Sequence, residues 1–499
     1  MLRNHLVVII IAVLISFMGN CSIAIEEADE HDFFRHNVEI KDGSSLDLKD
    51  CVSLAFKNSP KIRKKKYELD LAKANVGIAK SQFFPVINAG IGFYNENNSN
   101  SIYYDTHYRE LPSVGVSINQ LVWNFGKSTA YIKMEKFYQI GAEYEFIDSL
   151  CATLFDVKAH YYNVLKAKAI MEIAEYNKRE NEDFVKLAKS KKKYEYLTAK
   201  INLNDAQVKY IEAQNNYRNA IIDLSNTMFL DFNPNYTIKS TDTFNFNDGI
   251  FKNPEQNNNF KTEKFNFDTA KAVEIAYENS PDLKVLIAVK NAMEQSLKYI
   301  KRTYFPDLTA DVGYGFNKIN QEHSSNDSLK VGVNLTSSAN IMELKHSIKA
   351  ANAELNIAED EIEHFKKDIF FEVKRALNNV DKAQRQVQTS QIVLENGLEN
   401  LEIIKQQYSM GSVDYISLQD SRKDYINLLE NYVNSMHQYN LALVQLEMAM
   451  HTHITDIHHK SDHAIHYHFK ELIEDLEKAL DCDEKEVKKS KKADKHAKL

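Results

Sequence analysis

The chain has 499 residues, of which only 14 are Gly and 7 are Pro, about 4% helix breakers where ordinary usage gives about 12%. A mean hydropathy of -0.45 with 26% charged residues excludes a polytopic helical membrane protein, and a net charge of -8 gives no footprint for nucleic acid. Cys21, Cys51, Cys151 and Cys482 lie too far apart for a paired metal site or a disulfide framework.

Residues 1–24 read as a signal peptide. Arg3 supplies the positive start, and Leu6 to Phe17 is an apolar run of about 12 residues, too short to span a bilayer. Ser22-Ile23-Ala24 then places small residues where a signal peptidase cuts. A buried N-terminal helix is the alternative. Cys21 raises lipidation, but Asn20 just before it is a poor fit to a lipoprotein site.

Residues 45–230 form a first structural repeat. Leu46-Asp47 opens a short helix that ends at Asn58-Ser59-Pro60. A helix of about 22 residues then leads to Phe83-Phe84-Pro85. Two strands are predicted at about 86–94 and 113–120. Ile87, Ala89, Ile91 and Phe93 share one face against Asn88, Gly90 and Gly92; Val114, Val116 and Ile118 oppose Gly115, Ser117 and Asn119. A long helix from Lys127 to about Lys189 follows, with a second helical stretch after a break. Residues 231–266, with Pro234 and Pro254, are rich in Asn, Phe and Thr and read as a linker.

The second repeat, 267–450, has the same parts in the same order. Phe267-Asp268, Asn279-Ser280-Pro281, Tyr304-Phe305-Pro306, and Ala310, Gly313 and Tyr314 each follow their counterparts by a common displacement. Strands at about 307–316 and 330–336 alternate again: Leu308, Ala310, Val312 and Tyr314 oppose Asp307, Thr309, Asp311 and Gly313. Such alternation suits strands of a transmembrane barrel and strands of a soluble half-buried sheet equally. Helix length decides between them. Lys127 to Lys189 and Glu343 to Ser409 each run more than 60 residues without Pro, or roughly 90 Å. In the second, Val373, Val380, Val387, Leu394 and Leu401 recur every seven residues, beside Ile369, Ala376, Ala383, Ser390 and Gly397. That is heptad packing with a small-residue seam. A soluble coiled-coil rod does not explain four alternating strands set between the helices.

The duplicated Asn-Ser-Pro and aromatic-Pro motifs, Gln120-Leu121-Val122-Trp123-Asn124-Phe125-Gly126-Lys127, and Tyr408-Ser409-Met410-Gly411 followed by Leu418-Gln419-Asp420-Ser421 and Tyr439 resemble the TolC family of outer-membrane efflux and secretion channels. The resemblance covers about 46 to 450. It implies an α+β membrane fold: a homotrimer whose four strands per chain build a 12-stranded transmembrane β-barrel. That barrel continues into a long periplasmic α-helical coiled-coil barrel. Four strands cannot close a barrel and an open edge cannot sit in lipid, whereas three copies of four give an allowed closed number. The second repeat has Ala339-Asn340-Ile341-Met342 where the family repeats an aromatic-Asp-Gly turn.

The family's roles carry over to named positions. Glu195, Tyr408 and Asp420 are placed at the periplasmic aperture, and Lys189 and Gly411 on the helical tips expected to dock a periplasmic adaptor. Val413 and Ser417 occupy positions where the family has a latch Arg and a ring Asp. The implied partners are outer-membrane lipid, the adaptor and an inner-membrane transporter of RND or ABC type. The implied setting is the outer membrane of a Gram-negative, diderm bacterium, with a large periplasmic portion.

Residues 451–499 lie beyond the repeats and are first His-rich, then Lys-rich. His451, His453, His458 and His459 are weak metal-binding candidates against a solvated tail. The sequence contains no nucleotide loop, no Gly-x-Ser-x-Gly elbow, no His-Glu-x-x-His and no paired Cys motif. No enzyme activity and no cofactor are expected. The functional expectation is a passive exit duct of a tripartite efflux pump or type I secretion system. A soluble periplasmic coiled-coil scaffold is the alternative.

Overall fold

A computed structural model of the chain describes residues 43–95, 110–189, 193–230, 236–239, 268–318, 325–338 and 340–452. The signal peptide, most of the linker and the tail beyond 452 lie outside the described residues.

The elements follow the two repeats. The first comprises β1 (Ser45–Leu46), α1 (Leu48–Asn58), α2 (Pro60–Ser81), β2 (Val86–Asn95), β3 (Glu110–Trp123), α3 (Lys127–Ala188) and α4 (Lys193–Thr227). After β4 (Thr237–Ile238) come α5 (Thr269–Asn279), α6 (Pro281–Arg302), β5 (Asp307–Lys318), β6 (Ser325–Thr336), α7 (Ile341–Ser409) and α8 (Tyr415–Met450).

Asn-Ser-Pro is a stop and a start in three residues. Ser59 and Ser280 close one helix through their backbone N–H and cap the next by accepting from Ile62 N and Leu283 N. The Pro at the first helical position lacks the N–H that no helix needs there. Asp47 and Asp50 form a reciprocal capping box at α1.

The strands form one antiparallel sheet in the order β2-β3-β5-β6. Its register aligns Ile87, Ile118, Val312 and Val331 across all four strands. Those apolar side chains are exposed in the single chain, Ile87 at 46% and Val331 at 73%. β3 and β6 run longer than the alternation predicts. Asn95 pairs with Glu110 and Lys318 with Ser325, so the backbone ladder persists where the polar ends have lost the alternating pattern.

The helices are layered in the same order as the strands they join. α2 and α4 flank α3, α3 meets α6 and α8, and these flank α7. At 69 residues, α7 extends about 100 Å. Its heptad residues Val373, Val380, Val387, Leu394 and Leu401 are all buried. A Cβ at Gly397 would fall 2.4 Å from Leu428 Cδ1, so a larger residue there would have to displace the end of that leucine. α4 has a seam absent from the sequence reading: Ala199, Ala206, Ala213 and Ala220, every seventh residue, are buried and admit close approach to α3. Midway, Lys158 on α3 and Glu447 on α8 form a buried ion pair at 2.5 Å. Among the described residues, no helix is long and apolar enough to cross a membrane.

Candidate functional site

Two places carry the geometry a duct requires: the joint between strands and helices, and the tips of the helical hairpins. At the joint, Phe125 (φ 53°) and Gly126 (φ 81°) turn the chain from β3 into α3. Arg302 from the second repeat donates to the Gly126 carbonyl at 3.0 Å. A Cβ at Gly126 would meet its guanidinium at 2.8 Å. Lys127 reaches Asp307 at 2.6 Å and the Phe305 carbonyl at 3.2 Å, and Phe305 stacks on Phe125 with centroids 5.1 Å apart. The second joint, which lacks this motif, starts α7 with Asn340 as a side-chain cap accepting from Glu343 N.

At the tips, α3 ends beside exposed Lys189, and α7 ends in a turn at Gly411 (φ 75°). The Ser412 and Gly411 N–H groups donate to the Gln407 and Tyr408 carbonyls, and the left-handed backbone at Gly411 is what favours glycine there. Asp414 then caps α8, accepting from Ser417 N at 3.0 Å and Ser417 Oγ at 2.6 Å. Those bonds hold its carboxyl below the usual range.

Between the hairpins, Ala188, Ala199 and Tyr415 are buried, with Phe184, Val185, Tyr196 and Tyr408 packed around them. All four helices contribute. Burial pushes the Tyr408 phenol up, and the Glu195 carboxylate on the other hairpin adds to it. Asp420 is exposed on α8 and takes no part in this apolar cluster.

Arg422 is the residue the sequence reading missed. It is 7% exposed, pairs with Glu180 Oε2 on α3 at 3.0 Å and lies over the Phe184 ring. Burial lowers its guanidinium from the usual value. Leu418, Arg422, Tyr425, Leu429 and Tyr432 form one buried stripe, and a cation at helical spacing within an apolar stripe is the signal that identifies it.

The metal expectation changes at one residue. His451 caps α8 at φ 48° and is half-buried at the helix end. Burial, then nearby Lys284, depresses its pKa to about 4. His453, His458 and His459 lie outside the described residues, among which no cluster suited to a metal ion occurs.

The family profile of outer membrane efflux proteins matches residues 51–228 and 272–450, one block in each repeat. The chain belongs to the outer membrane efflux protein family. It is an outer-membrane efflux channel of the Gram-negative envelope, in a family of channels and not of enzymes. Solved structures share its fold at low identity. The Campylobacter jejuni CmeC outer membrane channel is 16% identical over 84% of this chain and 91% of that one, with a TM-score of 0.67. For CusC the values are 15%, 84%, 95% and 0.65. For the open state of the Neisseria gonorrhoeae MtrE outer membrane channel they are 13%, 81%, 88% and 0.64. No curated protein sequence matches the chain.

Proposed function

We propose that three copies of this efflux protein close a 12-stranded barrel in the outer membrane. In this reading the helices continue the barrel into the periplasm as the exit duct of a tripartite pump or type I secretion system. The observation that carries it is a pair of aligned open edges. β2 and β6 end the sheet, while α2 and α4 on one side and α7 on the other end the helical layer. A head-to-tail contact therefore continues both layers at once, and cyclic symmetry removes every edge. The exposed apolar row of Ile87, Ile118, Val312 and Val331 then meets lipid, and the opposite face meets water.

In this assembly, residues 1–24 direct export, 45–230 and 267–450 are the two repeats, 231–266 joins them, and 451–499 is an appended tail. Glu195, Tyr408 and Asp420 surround the periplasmic aperture. Lys189 and Gly411, on the tips farthest from the strands, meet a periplasmic adaptor that links the duct to an RND or ABC transporter.

Crosslinking in detergent tests the assembly: a ladder ending at three is expected, and a closed monomer defeats it. Recovery of the chain in the soluble periplasmic fraction would favour the scaffold reading instead.

A further inference from the structure

The inference rests on the barrel reading above and concerns the sheet face opposite Ile87, Ile118, Val312 and Val331, which lines the lumen there. Six of the chain's 14 glycines lie on that face: Gly90, Gly92, Gly115, Gly313, Gly315 and Gly332. Gly90, Gly115, Gly315 and Ser328 are paired directly across the four strands, a belt almost without side chains.

Glycine inside a strand weakens it, and is ordinarily there for a positive φ, a bulge or a close approach. Those reasons fail on the central strands. Gly115 and Gly313 have no positive φ. Their ladder is regular, with the only register shift farther along at Leu121 and Trp123. A Cβ at Gly115 would meet nothing nearer than the Tyr314 carbonyl at 3.7 Å, and one at Gly313 nothing nearer than Ser117 Cβ at 3.6 Å. Both are ordinary van der Waals spacings. At Gly115 and Gly313 side chains are therefore missing where there is room for them, while a Cβ at Gly315 would press on Ser328 Oγ at 3.3 Å.

We propose that these glycines set the bore of the barrel, clearing it for bulky solutes, so that this section sorts cargo by size and not by charge. Twelve strands about 4.8 Å apart, tilted about 40°, enclose a backbone cylinder roughly 24 Å across. Side chains of ordinary length on this belt would narrow that bore from all three copies. The charges on the same face offset one another. Both carboxylate oxygens of Asp311 accept amide N–H bonds, from Asn119 and Asn334. Lys330 lies two positions along β6 from Gly332, the residue paired with Asp311. Asp307, on the same face, is paired with Lys127 at 2.6 Å, so among the described strand residues each copy leaves Asp311 and Lys330 as one anion and one cation there.

The test uses the full-length chain in proteoliposomes, with Ser117→Cys as a reporter on the lumen face. It is treated with a small charged maleimide and with a maleimide on a long polyethylene glycol chain, against the parent as blank. Both reagents should label the reporter at similar rates. Adding Gly115→Gln and Gly313→Gln should leave the small reagent unaffected and slow the long one by about tenfold. The single Gly115→Gln change gives a smaller loss and serves if the double variant does not insert. Gly115→Ala with Gly313→Ala should insert normally and label like the reporter. Unchanged labelling by the long reagent in the Gln variants, its exclusion from the reporter alone, or failure of the Ala variant to insert would overturn the proposal. Labelling of Ile118→Cys but not Ser117→Cys by the small aqueous reagent would instead overturn the barrel reading.

Discussion

Arg422 on α8 donates to Glu180 Oε2 on α3 across 3.0 Å, while its guanidinium carbon lies 4.4 Å from the centre of the Phe184 ring. The pair joins the first repeat to the second just above the tips. The Arg422 side chain is 8% exposed and that of Glu180 31%, so one partner keeps water contact. Val413 stands where the family resemblance expects a latch Arg, and Arg422 is a cation nearby that does tie the hairpins together.

Arg422→Ala should therefore loosen the aperture. It removes the ion pair and the ring contact together, costing about 2–4 kcal/mol, less than for a pair dry on both sides. Planar-bilayer recordings should show conductance several-fold above the parent. Parental conductance with a lowered melting temperature would make the pair a packing feature only.

In the proposed trimer, Glu195 and Asp420 would each form a ring of three carboxylates, which attracts cations. Glu195→Gln with Asp420→Asn should lower cation preference in planar bilayers. Tyr408→Phe should raise conductance, because it removes a hydroxyl at the expected aperture without disturbing the packing around Tyr415. Unchanged ion selectivity in the double variant would take these acids out of the constriction.

Gly126 and Gly411 share a left-handed backbone but differ in surroundings. A Cβ at Gly411 meets nothing within 4 Å, whereas one at Gly126 meets Arg302 at 2.8 Å. Gly411→Ala should cost about 1 kcal/mol, from the backbone alone. Gly126→Ala should cost about 2–3 kcal/mol, because Arg302 must also leave its bond to the Gly126 carbonyl. Thermal dissociation of the oligomer ranks the two, and equal midpoints would show that Arg302 moves aside freely.

Asp148 on α3 and Asp282 on α6 make one interface pH-sensitive. Burial raises the pKa of each above the usual 3.8; next in weight come the Asp282 charge for Asp148 and the Glu145 charge for Asp282. Lys61 and Lys65 pull Asp148 partly back. A carboxyl with a folded pKa above its unfolded one favours the fold when protonated. Its contribution is full below the ordinary value and is lost as pH rises through the raised one. Asp148→Asn keeps the neutral shape, so it should raise the unfolding midpoint at neutral pH and flatten its pH dependence above the ordinary carboxylate range. A variant that follows the parental profile would acquit Asp148.

What the sequence determined by itself is everything written in local periodicity. Asn58-Ser59-Pro60 and Asn279-Ser280-Pro281 announce helix ends because capping needs only neighbours in the chain. The α7 heptads and the strand alternation name a buried face because each face is a spacing. The duplication follows from the same spacings appearing twice. The aperture roles proposed for Glu195, Tyr408 and Asp420 rest on family resemblance alone, for nothing in their own neighbourhoods marks them. The tertiary structure decided what depends on distant partners. Arg422 finds Glu180 across 242 positions, and Lys127 finds Asp307. An ionic side chain carries no periodic record of its partner, and the low-dielectric surroundings that strengthen such a pair exist only once the helices have packed.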